Sequence, residues 1–152
     1  MFQIHPLSAE LFAGLGALSD DERAARNIQV HISDGSFPCR VSLEDAPAGE
    51  RVFLVNHEHQ PAASPYRSCH AVYVREQART ASVVPGAVPV SIAARLLSVR
   101  AFDAKGNMIE ADVVEGKSVA PLIEKMLGNN TVDEIHLHFA RPGCFAARVT
   151  RR

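Results

Sequence analysis

Near the end of the chain apolar and polar residues alternate, with Ile135, Leu137 and Phe139 interleaved with His136 and His138. Successive side chains of a strand point to opposite faces, so this pattern predicts a strand with three apolar residues on the core side and two histidines on the other. Phe145, Ala147 and Val149 supply a matching apolar run across Arg141, Pro142 and Gly143. The two runs face each other only through an odd loop, whereas Pro-Gly favours a two-residue turn, so a bulge or a three-residue loop is expected. His136, His138, Cys144 and Arg148 then share the opposite face.

The same reading extends upstream. Val119, Leu122, Ile123, Met126 and Leu127 follow the i, i+3, i+4, i+7, i+8 stripe of a helix that starts at Ser118, with Gly128 as its stop. A hairpin is predicted before it. With Ala104, Lys105 and Gly106 as a three-residue loop, Ala101 faces Ile109, Val99 faces Ala111 and Leu97 faces Val113, while Arg100 pairs with Glu110 on the other side. Arg51 to His59 reads as a buried strand, VFLV, whose tail, NHEH, turns polar; a second strand runs from about His70 to Glu76, and QPAASPYRS at 60 to 68 is a loop. Residues 81 to 89 are loop-like and lead either into a helical turn or directly into the strand near Arg95. Ser8 caps a short segment through Leu15, and Ser19 ahead of Asp20, Asp21 and Glu22 starts a second short helix to about Arg26. Val30 and Ile32 suggest a strand, Cys39 to Leu43 another extended piece, and residues 47 to 49 a turn. Short N-terminal helices, many strands and one late amphipathic helix near residues 118–128 packed on the sheet make an α+β fold with a mainly antiparallel sheet. Alternating βαβ units are absent, which argues against a doubly wound nucleotide fold.

Composition sets bounds. The 152 residues are enough for a single domain, 1–152, with its own core, and 22% charged with 47% hydrophobic residues is ordinary globular usage. Sixteen basic residues against seventeen acidic ones leave a formal charge of −1, and no basic run marks a nucleic-acid footprint. No apolar stretch is long enough to span a bilayer and no secretory leader opens the chain, so a cytoplasmic location is expected. Cys39, Cys69 and Cys144 are odd in number and widely spaced, and read as reduced thiols.

Candidate chemistry gathers at strand ends. His57 with His59 and His136 with His138 are two-residue pairs, each able to present two imidazoles to one first-row divalent ion such as zinc, with His70, Cys69, Cys144 or Glu58 as a third ligand. Cys144 beside the histidine face, or Cys39 before Arg40, is a candidate catalytic thiol whose thiolate a nearby base or cation would favour. Arg40, Tyr66, Arg67, Arg75 and Arg148 are candidate ligands for a small anion. No GxGxxG or Walker loop opens a helix.

The strings FPCRVSLEDAPAGE, HEHQPAASPYRSCHAVYVRE, LLSVRAFDAKGNMIEADVVEG and IHLHFARPGCFAARV resemble a bacterial family known as a domain of unknown function, number twelve hundred and three, over essentially the whole length. The resemblance implies a single-domain bacterial protein and brings no activity, cofactor or catalytic residue with it. Two readings stand: a small-molecule or metal-binding module or enzyme with a histidine-lined site, and a structural or interaction protein, homodimeric through an exposed sheet edge.

Overall fold

Strand alternation in the second half of the chain builds the larger of two main sheets. The computed structural model describes residues 1–152. In chain order the strands are β1 (Phe2–His5), β2 (Gln29–Ile32), β3 (Phe37–Pro38), β4 (Asp45–Ala46), β5 (Arg51–Gln60), β6 (Ser68–Arg75), β7 (Leu96–Phe102), β8 (Met108–Glu115), β9 (Glu134–Phe139) and β10 (Phe145–Arg151). The α-helices are α1 (Asp20–Ala25), α2 (Val90–Ala93) and α3 (Val119–Leu127), with short 3₁₀ turns at Ala9–Phe12, Leu15–Ala17 and Gly116–Ser118. A five-stranded sheet has the order β1-β10-β9-β7-β8, a three-stranded sheet β2-β5-β6, and a small ribbon β3-β4. All the strand ladders are antiparallel, so the α+β architecture is the one the residue pattern implies. No helix is long and apolar enough to cross a membrane.

The main core lies on one face of the five-stranded sheet. Val119, Ile123, Met126 and Leu127 of α3 join Leu97, Val99, Ala101, Ile135, Leu137, Ala147 and Val149 in one buried cluster, the stripe and the alternation meeting as their periods require. At the N-terminus Ser19 and Glu22 form a reciprocal capping box on α1. The sheet's opposite face carries the histidines of β9, and the β5–β6 end of the second sheet packs against it.

Four local expectations are corrected. Phe2–His5 is a strand on β10 that sequence reading missed, since four residues before Pro6 leave little pattern to read. Cys39 to Leu43 is not extended: the Leu43 N–H donates to the Cys39 carbonyl, and Leu43 adopts a positive φ of 53°. The β7–β8 hairpin closes at Phe102↔Met108, but a bulge then puts Ala101 opposite Glu110, Val99 opposite Asp112 and Leu97 opposite Val114. Burial did not hold the expected register because β8 is an edge strand, with Ile109 42% and Val113 57% exposed. In β10 the expected bulge is present between Phe145 and Ala147, and it sets Phe145 beside His138, on the histidine face instead of the apolar one.

Candidate metal centre

Strand β9 sits between β10 and β7, so its outward residues acquire neighbours on both sides. His136 lies between Arg148 and Arg100, and His138 between Phe145 and Ser98. Both histidines are fully buried. The second sheet approaches from the other side: His57 pairs with His70, and a register shift between Glu58 and Gln60 turns His59 into the interface. The His59 ring lies parallel to His70 with centroids 4.6 Å apart and meets His138 edge-on at 5.0 Å; His70 and His138 are 5.1 Å apart. One ring nitrogen from each of His59, His70 and His138 lies within 4.8 Å of the others. Phe145 stacks on His59 at 4.9 Å and walls the group with an apolar ring.

Hydrogen bonds behind the cluster determine where its protons sit. Glu134 Oε1 is 2.9 Å from His136 Nε2 and its other oxygen is 3.3 Å from Arg148. The hydrogen bond from His136 holds this carboxyl below its usual range. An ionised carboxylate only accepts, so His136 carries a proton on Nε2, and in the neutral ring Nδ1 is left as a lone pair. With His136 neutral, that lone pair faces His59 Nδ1 at 3.1 Å, which then donates and leaves His59 Nε2 unprotonated. By the same logic His138 Nδ1 donates to the Gly143 carbonyl at 3.1 Å, and His138 Nε2 is a lone pair. His59 Nε2, His138 Nε2 and His70 Nδ1 are buried and have no hydrogen-bond partner. Leaving such atoms unpaired costs about 1–3 kcal/mol each.

Electrostatics keeps the rings neutral. Burial pushes His59 down to about 3 and, helped by the Arg100 guanidinium, pushes His138 down to about 2. His70 is lowered for the same reasons, burial first and Arg100 second. Three neutral imidazoles, two with the second nitrogen tied to a carbonyl or to a histidine–carboxylate chain, form the donor set of a first-row transition metal.

The other residues expected at the site divide between the cluster and its surroundings. His136 uses both nitrogens behind His59, and His57 lies against Phe12 and Phe145, with ring centroids 6.1 and 6.3 Å away. Neither belongs to the three-histidine group. Cys144 accepts a hydrogen bond from Arg40 at 2.9 Å, whereas Cys39 accepts from backbone N–H groups of Ser42 and Arg75; the guanidinium therefore reaches the distant thiol instead of its sequence neighbour. Arg75 is bound by Glu50 and Glu44, Arg67 by Glu58 and Arg148 by Glu134. Tyr66 is exposed and its ring is 6.2 Å from Phe102. These arginines and the tyrosine do not converge. Arg40 and Cys144, together with His70, line one cavity of about 620 Å³.

Sequence reading missed Glu134 and Arg100. Glu134 was legible, because it precedes His136 by two on the same strand and so shares its face. Arg100 was not, since only the pairing of β7 with β9 brings it there.

Residues 36–151 match the model of the family described as protein of unknown function, DUF1203, and the chain belongs to that family. No curated protein and no solved structure matches it.

Proposed function

We propose that this DUF1203 member binds one first-row divalent metal, zinc the best fit, through His59, His70 and His138, and uses it for Lewis-acid chemistry on a small molecule. The observation that carries the reading is the set of three buried, partnerless imidazole nitrogens on these residues. Three histidine ligands leave a fourth position for water or substrate, the pattern of catalytic rather than structural zinc. A metal held there would polarise a bound oxygen and lower the proton affinity of a bound water. His136 and Glu134 orient His59, and the Gly143 carbonyl orients His138. Phe145 and Phe102, whose rings lie 5.3 and 4.8 Å from His136, exclude water from behind the ligands.

Elemental analysis of protein purified without chelator tests this. The expected result is one zinc, or one other first-row ion, per chain, lost in His59→Ala/His138→Ala. Cobalt substitution should give the intense visible bands of a four-coordinate site. Protein that stays metal-free after incubation with zinc, cobalt and iron in turn would make the cluster a packed structural interface.

A further inference from the structure

We propose that the cavity beside the histidines binds a small anion, a carboxylate or phosphate group of the substrate, through Arg40 and Arg141 and holds it next to the metal. The inference takes the metal at His59, His70 and His138 as its premise. The cavity, about 620 Å³, is of the size that encloses a small molecule. Its charged lining is mostly cationic: Arg40, Arg95 and Arg141 against Glu115 alone. Arg95 is already paired with Asp45 at 2.9 Å, whereas neither Arg40 nor Arg141 has a carboxylate partner.

Arg40 is the unusual residue. It is 1% exposed, yet its guanidinium donates only to neutral groups or a thiol: the Phe145 carbonyl at 2.8 Å, the Pro38 carbonyl at 2.5 Å and Cys144 Sγ at 2.9 Å. It lies over the Phe139 ring at 4.9 Å, and Arg95 lies over the same ring at 5.2 Å. A buried cation without a counter-charge is expensive, and two of its five N–H groups remain unused. An anion entering the cavity supplies both the charge and the acceptors.

His70 connects the two sites. Its ring belongs to the metal group and also walls the cavity. The ligand set contains no carboxylate, so a divalent metal there keeps its full charge. Arg100, which reaches His138 electrostatically, has no carboxylate partner either. A centre with this balance selects an anionic ligand. The reacting group would meet the metal while the remote anionic group is held by the fork of Arg40, as bidentate recognition requires.

The test uses the ¹⁵N-labelled 152-residue chain loaded with zinc, its metal content measured on the same sample. Malonate and inorganic phosphate are titrated separately at constant ionic strength, and the Gly143 and Cys144 amide resonances are followed. At least one anion should saturate. Its dissociation constant should rise about tenfold in Arg141→Gln and stay unchanged in Arg152→Gln, an exposed arginine at the far terminus. Saturation by malonate alone points to a carboxylate substrate, by phosphate alone to a phosphorylated one. Stoichiometric zinc with no saturation by either anion, or equal weakening in both variants, overturns the anion site and leaves the metal reading intact. Failure to take up zinc, cobalt or iron in turn overturns the metal reading and this inference with it.

Discussion

Replacing Glu134 by glutamine should weaken the metal site without touching any ligand. The carboxylate sits two hydrogen bonds behind the metal group, accepting from His136 Nε2 at 2.9 Å while His136 Nδ1 faces His59 Nδ1 at 3.1 Å. Its inability to donate fixes a proton on His136 Nε2, and with a neutral His136 this leaves His59 Nε2 free as a ligand. Glutamine keeps the shape but removes the charge, and its amide group can donate, so His136 can reverse its proton and His59 can be trapped with its proton on Nε2. Loss of such an outer partner costs about 10–100-fold in metal affinity, equivalent to about 1.4–2.7 kcal/mol. Arg148, 46% exposed at the far end of the same chain, should matter much less: Arg148→Gln should weaken zinc by about fivefold or less, as exposed ion pairs contribute at most about 1 kcal/mol. Competition with a chromogenic chelator measures both variants, and long-range ¹H–¹⁵N spectra of the imidazoles report the tautomers directly. Wild-type zinc affinity in Glu134→Gln, or a wild-type His59 protonated on Nε2, would refute the reasoning.

Acid should unfold the metal-free protein earlier than its carboxylates alone would. His59 and His138 titrate at about 3 and about 2 in the folded state but near the ordinary 6.5 when unfolded, so, with His5, His57 and His70 lowered in the same direction, these two alone let the unfolded chain bind two more protons in the window between. The stabilisation from keeping them neutral is complete above 6.5 and is lost as pH falls toward 3, with a slope approaching about 2.7 kcal/mol per pH unit below pH 6. Urea midpoints at pH 7.5, 6 and 5 check this, and a flat profile from 6 to 5 would contradict it. Gly106→Ala should destabilise the fold by about 2–4 kcal/mol, read as a lower thermal midpoint. Gly106 has φ +76°, and an added Cβ would meet Ala62 Cβ where the 60–68 loop docks on the β7–β8 hairpin, next to the Ser64 hydroxyl bonded to the Gly106 carbonyl; an unchanged midpoint would mean that the loop is free to move away.

Local periodicity by itself determined much of this molecule. A strand cannot place His136 and His138 other than on one face, and α3 cannot bury Val119, Ile123 and Met126 without turning its charged side outward. The α+β class, the capped start of α1 and the need for a bulge or an odd loop between β9 and β10 follow from the same short-range rules. The tertiary structure alone decided which imidazoles meet. The simple i, i+2 rule pairs His57 with His59, but the bulge at the end of β5 turns His59 inward and leaves His57 beside Phe12 and Phe145. His70 enters instead because β6 carries it across from the second sheet, and Arg40 reaches Cys144 over 104 residues of chain. Bulges and the docking of one sheet on another are selected by the summed packing of distant surfaces, which leaves no local period to read.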